Sequence, residues 1–237
     1  MQYKVEFSNG RVFYMTKLKS SLVVAAMLLA LPAFAEDASP HARWESAIAA
    51  FEKKDAKSPP PKHANLFVGS SSIVMWNLEE SFPEYEVINR GFGGSQTADS
   101  VHFADRIVIP HEPDVVFLYA GDNDIAAGKS PEQVFEDYKV FVAKVHEALP
   151  KTKIVYIAIK PSTARWKLVG KMREANALVE EETKSNDLLA FIDIDPLMLG
   201  DDGTPRKDFL LGDGLHLTKS GYAVWAQVVR PYLKPSK

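Results

Sequence analysis

Residues 65–76 read NLFVGSSSIVMW. The apolar run 66–68 stops at Gly69, three serines follow, and a second apolar stretch begins at Ile73. A short apolar run bounded by glycine predicts a buried strand, which puts the serines at a strand-to-helix junction. Serines at such a junction cap helices, because the hydroxyl accepts a hydrogen bond from a free N–H of the first turn. A serine beyond a tight glycine turn is also exposed at the edge of the sheet, where some hydrolases carry a nucleophile. On these twelve residues alone both readings stand.

The same kind of run recurs as EVINRG (86–91), DVVFLYAG (114–121), KIVYIAI (153–159) and LAFIDI (189–194), giving five predicted strands. Helical patterns lie between them. Over 131–149, Val134, Phe135, Tyr138, Phe141, Val142 and Val145 form one apolar stripe, and SPEQ (130–133) fits a capping box with proline in the first turn. Residues 164–184 predict a second long helix, and 220–233 a last one. Upstream, Ser39-Pro40 predicts the cap of a helix with Trp44, Ile48 and Phe51 on one face, and SPPPKH (58–63) is a short linker. Strands alternating with helices imply an α/β fold with a parallel sheet covered on both faces. With right-handed crossovers this becomes a flavodoxin-like three-layer α/β/α sandwich of five strands. Ligands of such sheets sit outside the C-terminal strand ends, so the residues after each run are the ones to inspect.

Residues 15–35, MTKLKSSLVVAAMLLALPAFA, have two lysines, an apolar core and small residues at Ala33 and Ala35, the layout of a secretory signal peptide. Met15 fits a true start, so 1–35 is set aside as an N-terminal extension and signal, and 36–237 is expected to be one exported domain. Its apolar core is ten residues, too short to span a bilayer comfortably, and no later stretch is longer. The whole chain carries 28 Lys/Arg against 31 Asp/Glu. Without residues 1–35, which hold four basic residues and one acidic, 24 basic face 30 acidic, a net −6 over 202 residues. That balance argues against nucleic acid or an anionic membrane as partner. There is no cysteine, which excludes a thiol nucleophile, thiolate metal ligands and disulfides. His41, His63 and His111 lie in linkers or at element ends, and His102 and His146 within helical patterns. No histidine pair has metal-site spacing, so neither a metal nor a cofactor is expected.

Four blocks follow predicted strand ends. The first is Gly69-Ser70-Ser71-Ser72. The second, NRGFGGSQTAD (89–99), contains Gly91, Gly93 and Gly94, which permit close backbone approach and free N–H groups, or simply make a tight turn. It lacks the G-x-G-x-x-G spacing of a dinucleotide site. The third, AGDNDIAAG (120–128), offers the side-chain amide of Asn123 as a donor for a developing oxyanion, or an Asx turn. The fourth, LGDGLHLTKSGY (211–222), sets Asp213 three residues before His216, close enough for a turn to bring the carboxylate to the imidazole Nδ1. A serine nucleophile needs a base, an orienting acid and oxyanion donors, and one rim of one sheet offers all of them.

The order of these blocks resembles the SGNH (GDSL) hydrolase superfamily, most of all its bacterial branch akin to platelet-activating-factor acetylhydrolase catalytic subunits. The resemblance covers about 63–233 and is most specific at Gly-x-Asn-Asp and Asp-x-x-His. It implies Ser71 as nucleophile, Asp213 and His216 as its acid and base, and Ser71, Gly94 and Asn123 as the oxyanion hole. It leaves Ser72 as the capping residue. Ser70 stands where the family motif has Asp, which puts in question how the nucleophile turn is shaped. The expected function is an exported serine esterase acting on small acyl esters of sugars or glycans. An O-acyltransferase with the same triad and a non-catalytic glycan-binding protein are the alternatives. After the fourth strand, IKPSTARW (159–166) offers Arg165 for an anionic group and Trp166 for a sugar face or acyl chain. Trp76 is a further candidate lining residue. For all three, packing is the competing reading.

Overall fold

The structure, a computed structural model, describes residues 39–235 and the strands Gln2–Glu6 (β1) and Val12–Thr16 (β2). These two strands pair antiparallel, Gln2 opposite Thr16, in a unit separate from the one that begins at Ser39. The sequence reading assigned no structure there. Most of its signal segment, 17–35, lies outside the described residues.

The larger unit contains the five predicted strands: Asn65–Gly69 (β3), Val87–Gly91 (β4), Val115–Tyr119 (β5), Lys153–Ile157 (β6) and Leu189–Ile192 (β7). They form one parallel sheet in the order β4-β3-β5-β6-β7. Every crossover carries helix, because a parallel neighbour cannot be reached by a tight turn. The helices are Glu45–Lys57 (α1), Ser71–Val74 (α2), Leu78–Ser81 (α3), Thr97–Ile107 (α4), Asp122–Ala126 (α5), Pro131–Ala148 (α6), Val169–Thr183 (α7) and Lys219–Val229 (α8).

Both sheet faces are buried, so the strands read as continuous apolar runs rather than alternating ones. The pleat still divides them. Leu66, Val68, Val116, Leu118, Ile154 and Tyr156 face α1, α4, α6 and α7. Phe67, Phe117, Tyr119, Val155 and Ile157 face the other way, into a core with Trp76, Phe82, Tyr222 and Trp225. Phe67 stacks on Phe117 with ring centroids 4.4 Å apart.

The helix ends show where local signals sufficed. The capping box of α6 is complete: Ser130 Oγ accepts from Gln133 N, and Gln133 Oε1 accepts from Ser130 N. Two starts differ from expectation. Pro40 lies in a turn followed by the 3-10 turn Ala42–Trp44, so α1 begins at Glu45 and Ser39 does not cap it. The long helix expected from residue 164 begins at Val169, after the 3-10 turn Trp166–Leu168. Residues 160–165 are drawn instead to the rim of the sheet, where Ala164 N donates to Gly214 O at 3.0 Å.

Candidate active site

The site is assembled on the rim formed by the C-terminal ends of β3, β4 and β5. Gly69 closes β3 with φ +140°, and a Cβ there would lie 1.9 Å from the carbonyl oxygen of Tyr119. Only glycine allows that approach. Ser70 N donates to the same Tyr119 oxygen at 3.1 Å, and Phe92 N donates to Gly69 O at 2.9 Å, which ties the turn to its two neighbours. Ser70 is the N-cap of α2, and its carbonyl accepts from Ile73 N and Val74 N. Its side chain makes no cap hydrogen bond. The turn is therefore held by backbone contacts and not by a cap from the Ser70 side chain. Ser72 lies inside α2 and is buried, so it is not the cap expected for it. Ser71 is the one serine of the three that is partly exposed.

Ser71 Oγ lies 2.9 Å from Nε2 of His216, 145 residues away in the chain. His216 Nδ1 lies 2.6 Å from Asp213 Oδ2. The other oxygen of Asp213 accepts from the backbone N–H groups of Leu215 at 2.9 Å and His216 at 3.0 Å. The hydrogen bond from His216, with those two backbone donors, holds the Asp213 carboxyl well below the usual carboxylate range. Gly214, at φ +66°, makes the turn that lets one carboxylate meet all three donors. With Asp213 ionised at Nδ1, Nδ1 carries the hydrogen and Nε2 faces the serine as acceptor.

The glycine block is held from upstream. Trp44 Nε1 donates to Gly93 O at 2.8 Å, and Arg43 Nη2 to Gly94 O at 3.2 Å. Gly94 has φ +74° and open space where a side chain would stand. The N–H groups of Ser71 and Gly94 meet no acceptor among the described residues. Asn123, at the start of α5, donates from Nδ2 to Ser95 O at 2.9 Å and accepts from Arg165 Nη2 at 2.9 Å.

Sequence reasoning missed the charges beneath this rim. Lys160, 1 % exposed, reaches Tyr119 Oη at 3.2 Å and Asp122 Oδ2 at 3.5 Å. Burial pushes its ammonium pKa down, with Asp122 acting against that. Arg165 Nη1 pairs with the same oxygen of Asp122 at 3.1 Å. A lysine closing the apolar run KIVYIAIK was the available signal, since a charge there is buried unless the strand ends first.

The three lining candidates sit differently. Trp76 is 2 % exposed and packs mostly into the core, stacking on Tyr222 and meeting Phe67 and Trp225 edge-on, with Nε1 donating to Ser81 Oγ at 2.9 Å, while its remaining edge is part of the groove between α2–α3 and α8. Arg165 is engaged by Asp122 and Asn123. Trp166 is half-buried, with the guanidinium of Arg173 5.9 Å from its ring. Beside the triad, a groove of about 470 Å³ runs between α2–α3 and α8, with Met75, Leu211, Leu217 and Ala226 among its walls. Leu211 N donates to His216 O at 2.7 Å, so one wall is continuous with the histidine loop. Among the described residues no cluster of three His, Asp or Glu side chains could hold a metal, and no helix is long and apolar enough to cross a membrane.

A model of the GDSL-like Lipase/Acylhydrolase family matches residues 69–224, from the glycine that closes β3 into α8. The chain belongs to that family. As a GDSL-like acylhydrolase it is a hydrolase of small-molecule esters. It is 27 % identical over 197 residues to the human platelet-activating factor acetylhydrolase IB subunit alpha1, covering 81 % of this chain and 83 % of that one. Its fold is shared with a GDSL-like lipase from Bacteroides thetaiotaomicron (TM-score 0.65, 21 % identity, 81 % of this chain and 96 % of that one). A carbohydrate esterase family 3 enzyme from Talaromyces cellulolyticus aligns with a TM-score of 0.58 at 15 % identity, over 71 % of this GDSL-like acylhydrolase and 95 % of that chain.

Proposed function

We propose that this protein is an exported serine esterase that works through an acyl-enzyme on short acyl esters of sugars or glycans. The observation that carries the chemistry is the chain of contacts Ser71 Oγ, His216 Nε2, His216 Nδ1 and Asp213 Oδ2, at 2.9 and 2.6 Å. Ser71 Oγ attacks the ester carbonyl as His216 Nε2 takes its proton. Asp213 holds the imidazole in the tautomer that can do so and stabilises the imidazolium. The tetrahedral oxyanion receives the N–H groups of Ser71 and Gly94 and the Asn123 hydrogen not used on Ser95. Each such donor is worth about 2.7–4 kcal/mol in the transition state. His216 then protonates the leaving alcohol. Water, activated by the same imidazole, releases the acid from the acyl-serine.

Export is supported by the signal-like pattern of 15–35. The sugar ester is supported by the likeness of fold to a carbohydrate esterase. A longer acyl or alkyl chain is the second reading, favoured by the groove next to the histidine loop, whose walls include Met75, Leu211, Leu217 and Ala226 as well as the charged Glu80, Lys219 and Arg230. A fluorophosphonate probe and an aryl-ester panel test the assignment. The wild-type chain should label once. Ser71→Ala should lose labelling and turnover, whereas Ser70→Ala and Ser72→Ala keep most of both. Loss of labelling only in the Ser72 variant would refute the register. Acetyl esters of a sugar outpacing octanoyl aryl esters favours the first substrate reading; the reverse favours the second.

A further inference from the structure

The orientation of the Asn123 amide is fixed by chemistry as well as by geometry. A guanidinium has donors only and a carbonyl is an acceptor only. The atom facing Arg165 Nη2 must be the amide oxygen, and the atom facing Ser95 O must be the amide nitrogen. One of the two Nδ2 hydrogens is used on Ser95. The other stays available at the rim. Ser95 follows Gly94 directly, so the same bond couples the amide to the glycine loop.

Arg165 is itself held from behind. Its Nη1 lies 3.1 Å from Asp122 Oδ2 as an ion pair without directed hydrogen-bond geometry. Lys160 Nζ approaches that same oxygen at 3.5 Å. Lys160 and Arg165 thus converge on one carboxylate oxygen under the site, with Asp213 a second acidic group near enough to act on Lys160.

We propose that Arg165 is a positioning residue for ester hydrolysis: it fixes and polarises the Asn123 amide so that its free N–H meets the oxyanion. This rests on the serine-esterase reading above. The path from charge to oxyanion is Arg165, then Asn123. Removing Arg165 lets the amide rotate and leaves its oxygen without a donor. The effect falls on the transition state, because the ground-state ester carries less charge on that oxygen.

The test uses steady-state kinetics on a neutral acetyl ester and an anionic one. The variants are Ser71→Ala, Arg165→Met, Arg165→Lys, Asn123→Ala and the Arg165→Met/Asn123→Ala double variant, each with its melting temperature. Methionine keeps the apolar stem and removes the guanidinium. Arg165→Met should lower kcat by about ten- to a hundred-fold on both esters, the scale of a misplaced catalytic group, with KM within about two-fold. In the Asn123→Ala background it should cost nothing more. Arg165→Lys should recover part of the loss, since one ammonium cannot span both Asp122 and Asn123. An equal loss of kcat with and without Asn123 overturns the proposal, as does an effect confined to KM for the anionic ester. If Ser71→Ala retains turnover, the esterase reading falls and takes the proposal with it. An inactive Ser71→Ala with an independent Arg165 effect overturns the positioning role alone.

Discussion

Asp213 accepts three hydrogen bonds, from the His216 ring and from two backbone N–H groups, and stays ionised well below the usual carboxylate range. An amide in its place presents an N–H₂ where the ring needs an acceptor. Asp213→Asn should therefore lower kcat by about 10³–10⁴-fold with little change in melting temperature, the size expected when the imidazole takes the wrong tautomer. The imidazole must keep a free lone pair on Nε2 to accept the Ser71 proton, so kcat/KM should fall in acid. A profile flat between about pH 4 and 8 would contradict this. At the same scale, chain spacing made Asp213–His216 legible, since three residues and a glycine turn suffice. Sequence alone left Trp76 open between lining and packing, because an aromatic near a candidate serine looks the same in both cases.

At the scale of elements, β3 and α2 meet through Gly69. Gly69→Ala forces a Cβ to within 1.9 Å of Tyr119 O at φ +140°, and neither the central strand nor the turn has room to yield. The loss should reach about 3 kcal/mol or more, about 6–12 °C in melting temperature for a domain of this size. Ser130→Ala, which removes the cap of α6, should cost only about 1 kcal/mol, about 2–4 °C. Calorimetry on the two variants separates these. A small shift for Gly69→Ala would mean that the turn can be rebuilt. The α6 cap was readable because all its partners lie within four residues. The start of α7 was not, because residues 160–165 are diverted by Asp122 and Asn123 after β5 and by Gly214 in the loop before α8.

For the whole molecule, acid should weaken the fold in two stages. Burial, then Arg90, pushes the His111 pKa down against Asp55, and burial lowers His102 as well, so near pH 6.5 the unfolded chain binds more protons than the native state. Stability therefore falls as pH drops below about 6.5. The Asp213 carboxyl has a depressed folded pKa; its contribution is complete above the unfolded value and is lost as pH falls through the folded one. Asp114 behaves alike, held down by Lys234 and His63 against the burial that would raise it. Asp124 works the other way, since burial raises it despite Lys129. Melting temperature should be level above about pH 7, decline below about 6.5 and fall more steeply below about 4. His111→Gln should flatten part of the first decline. A wild-type melting temperature constant down to about pH 5 would show that His111 and His102 do take protons.

The sequence by itself determined the α/β class, five buried strands, the α6 cap and the four blocks at the strand ends, because each is written in patterns spanning a few residues: apolar runs, helical stripes, glycines and short polar spacings. The resemblance singled out Ser71; only the tertiary structure decided that Ser71 Oγ lies against His216, that Trp76 packs into the aromatic core, and that Arg165 faces Asn123 above a shared buried carboxylate. Those contacts join residues 42 to 149 apart along the chain. The order in which parallel strands pack brings them together, and no local pattern encodes that order.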